Sequence, residues 1–130
     1  MARMAYLWLN NGSWAGKQVV SERYVRDSVT ASTKLNDAYG YLWWLGKSGH
    51  WVLPSVAPTS PHGGRVEGNG TIFLPREGDM YAMLGGQGQV AIVHPTRNAI
   101  YVRQGEEPPM GDDYGFLRRL LELIRDAYVA

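Results

Sequence analysis

Cysteine is absent from the 130 residues, so they can form no disulfide and offer no thiolate ligand or nucleophile, and the redox surroundings stay open. Histidine is scarce as well. His50, His62 and His94 stand far apart, none with a second ligand at the i, i+4 helical spacing, and no metal is expected. An excess of either charge is also missing: 13 Lys and Arg face 12 Asp and Glu, a net +1, with no basic cluster interleaved with aromatics. A nucleic-acid partner is therefore not expected. No apolar run is long enough to cross a bilayer, so no membrane span is expected. The start Met1-Ala2-Arg3 leads straight into an amphipathic pattern without the features of a signal peptide, which makes cytoplasmic the default expectation.

What is present is apolar residues, 45% of a chain long enough for one ordinary domain and too short for two, so 1–130 reads as a single domain. Met1, Met4, Ala5, Trp8 and Leu9 follow one helical face, and Asn10-Asn11-Gly12 stops the helix. After the turn Ser13-Trp14-Ala15-Gly16, Ser21 caps a second helix with Glu22 in its first turn. Tyr24, Val25, Ser28 and Val29 share one side of it, and it ends before Ser32.

Residues 39–45, YGYLWWL, are aromatic, apolar and bounded by glycines, which predicts a strand with Trp43 and Trp44 on opposite sides. One indole is expected in the core and the other on a surface or groove; core and sheet cover is favoured over a ligand platform. Residues 46–79 read as a long lid-like excursion, most loop-like at Ser60-Pro61-His62-Gly63-Gly64. Within it, Trp51-Val52-Leu53 is expected to pair with Thr71-Ile72-Phe73-Leu74 or to pin the loop down.

A three-stranded antiparallel meander follows, with strands at 81–84, 90–94 and 99–103 and turns at 85–89 and 95–98. Past the polar connection 105–111, Asp112 or Asp113 caps a long helix with Phe116, Leu120, Leu123, Ile124 and Ala127 as its apolar stripe. Arg118, Arg119 and Arg125 stay in solvent. The order predicts an α+β fold: the meander plus an aromatic strand, packed by two N-terminal helices and a long C-terminal helix. The glycine-rich 85–89 turn is either a tight strand connection or a place where bare backbone meets a ligand. Arg76 and Arg103 read as solvated, the alternative being that either holds a carboxylate if the loop folds over the turn.

Laid out in this way, the chain resembles the C-terminal part of the serine hydrolase family that includes class C β-lactamases, D-alanyl-D-alanine carboxypeptidases, esterases and 6-aminohexanoate-dimer hydrolases. The resemblance covers nearly the whole chain. Its carriers are ARMAYLWLNNG from Ala2, then Trp14, Gly16, Gln18-Val19-Val20-Ser21, Tyr24-Val25, Tyr39-Gly40-Tyr41-Leu42-Trp43-Trp44, the 85–89 turn, Pro95, and the two strands before the last helix. Such enzymes use a serine nucleophile in Ser-x-x-Lys and a tyrosine in a Tyr-x-Asn-like motif. Neither occurs. Three residues before Lys17, Lys34 and Lys47 stand Trp14, Ala31 and Trp44, and no Tyr is followed two positions on by Asn.

The resemblance places the family's third motif at Met83-Leu84-Gly85. It makes Met83, Leu84, Gly85, Gly88 and Gln89 substrate-binding candidates and the Gly86 N–H an oxyanion-hole donor whose second donor, the nucleophile's own N–H, is missing. A thioether at Met83 cannot offer a cation to a carboxylate, which disfavours β-lactam or peptidase specificity and leaves esterase or amidase relatives. No catalytic residue and no cofactor are expected. In the resembled fold the last meander strand pairs with strands from the missing part, so Ala99–Arg103 becomes an exposed edge and the first helix keeps an apolar face. A homodimer through that edge, that helix or both follows, or else a complementary N-terminal chain. Three readings stay open: a catalytically incomplete fragment, which is favoured, half of a split serine hydrolase, and a small-molecule or peptide binding module.

Overall fold

The computed structural model describes residues 1–54, 65–72, 79–106 and 113–127. Its elements in chain order are α1 (Ala2–Leu9), β1 (Ser13–Trp14), β2 (Lys17–Gln18), α2 (Glu22–Ser28), β3 (Trp44–Leu45), β4 (Gly49–Pro54), β5 (Arg65–Gly70), β6 (Tyr81–Gly85), β7 (Gln89–His94), β8 (Ala99–Arg103) and α3 (Asp113–Ala127). Helices and antiparallel sheets together make an α+β fold, as the apolar periods imply.

The main sheet has the order β3-β6-β7-β8, every neighbour antiparallel. Its three-stranded meander lies where the sequence places it. Pro95 accepts from the Asn98 N–H at 2.9 Å, and Asn98 takes φ +49°, a conformation asparagine tolerates. Because side chains alternate along a strand, the sheet separates two cores. On one face Leu45, Tyr81, Ala91 and Val93 meet Ala5 and Trp8 of α1, Val25 of α2, and Trp43. On the other, Ala82, Val90 and Ile92 meet Met80 and Leu117 and Leu121 of α3. Strand β7 is buried on both faces, and each fully buried Ile92 or Val93 side chain contributes about 1.5–3 kcal/mol.

Local chemistry explains the N-terminal elements. Ser21 accepts from the Tyr24 N–H at 3.2 Å and so caps α2, which ends at Ser28. Ala15 and Gly16 both have positive φ, +49° and +78°, which suits the two-residue connection between β1 and β2. In α1 only Ala5 and Trp8 are fully buried. Met1 and Met4, expected on the same face, stay exposed because the helix seats on the sheet along its Ala5–Trp8 line.

Three expectations are corrected. Residues 39–45 are not a continuous strand: only Trp44–Leu45 pairs with β6, and the chain reverses through Tyr41 and Leu42, with Tyr39 bridged to Trp44. Leu42 takes φ +65°, and a Cβ on Gly40 would lie 2.1 Å from the Ser28 carbonyl oxygen, so close approach to α2 imposes the bend. The two indoles do part to opposite sides, but both meet a core, and among the described residues neither lines an open groove. Trp43 is buried between Trp8 and Tyr81 at 5.4 and 5.1 Å, and Trp44 packs on the α3 side, edge-on to Tyr39.

The second correction concerns 46–79. Trp51 pairs with Gly68, not with the run beginning at Thr71, in a six-pair β4–β5 hairpin. A Cβ on Gly68 would stand 2.5 Å from the Trp51 ring, so the indole covers the glycine and lets a poor strand sequence pair. The other side of β4 is stitched to 35–37: Asp37 N–H donates to the His50 carbonyl at 2.7 Å, and His50 N–H to the Asp37 carboxylate at 2.8 Å. Ser60-Pro61-His62-Gly63-Gly64, Phe73, Leu74 and Arg76 lie outside the described residues.

The third is the phase of α3, which starts at Asp113; Asp112 lies outside the described residues. Leu117 and Leu121 are its most buried residues, flanked by Phe116, Leu120 and Ile124, whereas Leu123 is 52% exposed and Ala127 exposed. The apolar stripe is wide enough to seat in either phase, and the sheet selects the 117/121 line. Arg118, Arg119 and Arg125 are exposed, as expected.

Candidate functional site

Strand β6 runs out of the sheet at Gly85, and residues Gly86–Gly88 form a single 3-10 turn that feeds β7. Gly85 is extended at φ −117°, Gly88 has φ +70°, and the Gln89 N–H returns to the Gly86 carbonyl. The described backbone at Gly85 and Gly86 is exposed, and among the described residues, the turn's own neighbouring backbone aside, no atom lies within 4 Å of where a Cβ on Gly86 would sit. A small polar group could approach there without displacing a side chain.

The candidate residues divide by position. Gly85, Gly86, Gly88 and Gln89 form the turn itself. Met83 and Leu84 point to opposite faces of β6, Met83 packing against the α1-side core and Leu84 against the α3-side core. The Gln89 amide is held against Gly105: its nitrogen donates to the Gly105 carbonyl, and its oxygen accepts the Gly105 N–H at 3.2 Å.

Arg103 corrects another expectation, for it is half-buried and engaged. Its Nη1 donates to the Gly88 carbonyl at 2.9 Å, its Nη2 to the Glu106 carbonyl at 2.7 Å, and its guanidinium lies 4.8 Å from the Phe116 ring centre. Two neighbouring carbonyls and an aromatic face suit a planar cation. One side chain thus ties β8, the turn, the segment after β8 and α3 together behind the open face of Gly86. Sequence reasoning missed this role; the only local signal is an arginine closing a strand two residues before a glycine.

A second polar cluster sits at the opposite end of β6 and β7. The Asp79 carboxylate accepts the Thr96 N–H at 2.8 Å and lies 3.9 Å from His94 Nδ1, which itself accepts the Arg97 N–H at 3.2 Å. Burial works against the Asp79 carboxylate, but the Thr96 hydroxyl and N–H, aided by His94, outweigh it and hold the carboxyl below the ordinary aspartate range. Tyr81, buried and facing the Asp79 charge, is pushed above the ordinary tyrosine range. These groups brace the start of β6 against the 95–98 turn.

Among the described residues no three His, Asp or Glu side chains gather as a metal site, and no helix is long and apolar enough to cross a membrane. Comparison with protein-family models, with curated proteins and with solved structures finds no match to this chain.

Proposed function

We propose that the chain is a catalytically incomplete unit of the β-lactamase-related serine hydrolase kind, without turnover of its own, that assembles as a dimer. The observation that carries this reading is the turn. An antiparallel strand ending in Met83-Leu84-Gly85 delivers the Gly86 backbone to open space, the position the resemblance assigns to one oxyanion donor. The sequence holds neither a Ser-x-x-Lys nucleophile nor a Tyr-x-Asn partner, so that donor has no acyl chemistry to serve within these residues. The order of helix, helix, aromatic segment, meander and terminal helix also agrees with the resemblance.

A fluorophosphonate probe tests the reading, with no covalent labelling of the purified chain expected. Stoichiometric labelling of a serine would overturn it. Labelling that appears only when a second polypeptide carrying Ser-x-x-Lys is added would favour the alternative of a split esterase or amidase. Thermal stabilisation by small acyl compounds without labelling would favour a binding module.

A further inference from the structure

We infer that β8 is a self-complementary assembly edge, on which two copies pair antiparallel with Tyr101 opposite Tyr101. This deepens the assembly half of the proposal above and rests on it, but its grounds lie at one border of the sheet. β8 ends the order β3-β6-β7-β8, and among the described residues no further strand joins it. It pairs with β7 over five consecutive residues without a bulge, and it contains no proline. Sheet edges are normally guarded by charge, proline, bulges or a covering element.

The one charged side chain of β8 does not guard it. Arg103 is drawn onto the α3 face by the Gly88 and Glu106 carbonyls and by Phe116. The remaining residues, Ala99, Ile100, Tyr101 and Val102, are uncharged, and Val102 is 37% exposed.

A second copy fits this edge better than an unrelated strand for two reasons. Centring an antiparallel pair on Tyr101 sets Ile100 against Val102 and Ala99 against Arg103, so apolar meets apolar and the two arginines never face each other. Centring on Arg103 would oppose like charges. In addition, a two-fold axis perpendicular to the sheet keeps each face on its own side. Helix α1 lies over β7 and β8, on the border half of the sheet, with Met1 39% and Met4 47% exposed. The two α1 helices therefore lie in one layer on the same side of the joined sheet, where exposed Met1 and Met4 offer apolar area that a lone peptide strand would not match. Stable interfaces bury roughly 1,200–2,000 Å², more than a five-residue edge supplies, so the helix layer completes the contact.

Sedimentation velocity on the whole chain at about 10–100 µM, a range in which a specific dimer of micromolar affinity is populated, should show a dimer; a monomer throughout overturns both the edge and the assembly reading. Val102→Lys sets a cation beside the dyad and should raise the dimer dissociation constant at least about tenfold with far-UV circular dichroism unchanged. A dimer of undiminished affinity in that variant overturns the edge while sparing assembly by another surface.

Since the chain has no cysteine, Val102→Cys introduces a unique thiol for a spin label. In the proposed register residues 102 of the two copies are diagonal neighbours, about 7–8 Å apart, and strong dipolar broadening is expected. A labelled dimer without broadening overturns the register. Fluorophosphonate labelling moves none of these readouts, so failure of the incomplete-hydrolase reading and failure of the edge remain distinguishable.

Discussion

Trp8 Nε1 donates a buried 2.8 Å hydrogen bond to Ser28 Oγ, which in turn donates to the Val25 carbonyl at 2.7 Å. The chain of bonds ties α1 to α2 beside the apolar cluster of Ala5, Trp8, Val25 and Trp43. Ser28→Ala removes the acceptor and strands the indole N–H in a dry site, a loss of about 1–3 kcal/mol. Urea unfolding followed by tryptophan fluorescence checks this. A change under about 0.5 kcal/mol, the size of an ordinary surface substitution, would mean the bond is dispensable.

Arg103→Ala should destabilise the fold by a similar amount, about 1–3 kcal/mol, because two carbonyls lose a charged donor and Phe116 loses its cation. Arg103→Lys keeps the charge but cannot span both carbonyls with one planar group, so an intermediate loss is expected. Amide exchange at Gly86, Gly88 and Gln89 should quicken in both variants while β7 exchange stays slow. Equal exchange in variant and parent would show that the turn holds itself.

The sequence made legible those elements whose reasons are local. The Ser21 cap, the Pro95–Asn98 turn and the strand at 90–94 each follow from chemistry within a few residues, and each lies where expected. What it hid depends on distant contacts. YGYLWWL has strand composition, yet Ser28, twelve residues before Gly40, forces it to turn, and Leu42 gives no glycine or asparagine signal of its positive φ. Glu67-Gly68-Asn69-Gly70 has loop composition, yet Trp51 supplies the surface the glycine lacks. At the candidate site the glycines announced a turn, whereas the clasp behind it is invisible until β8 and α3 are brought alongside.

Asp79 gives the fold a pH dependence of definite sign. Its carboxyl, held below the ordinary value of 3.8 despite the opposing effect of burial, stabilises the fold above that value, and the stabilisation is lost as pH falls through the lower folded value. Asp79→Asn keeps an acceptor for the Thr96 N–H but cannot titrate. Its unfolding midpoint in urea should therefore fall less steeply than the parent's between about pH 5 and 3. Parallel curves would remove Asp79 from acid stability.

Tyr81 acts at the other end of the scale. Burial against Trp43, with ring centres 5.1 Å apart, and the Asp79 carboxylate both disfavour the phenolate, so the folded-state pKa lies above the ordinary 10.0. The unfolded phenol ionises first on raising the pH. Stability from this group is thus fully present below 10.0 and is lost as pH rises beyond it toward the folded value. Tyr81→Phe retains the ring against Trp43 and removes the ionisation, so above about pH 10 the variant should lose less stability per pH unit than the parent. Asp79→Asn tests the cause independently: without the neighbouring carboxylate the Tyr81 phenolate, followed as the late step in tyrosinate absorbance, should form at lower pH. If Tyr81→Phe flattens the alkaline loss but Asp79→Asn leaves the late step in place, burial alone sets the shift and the Asp79 charge is screened at that distance.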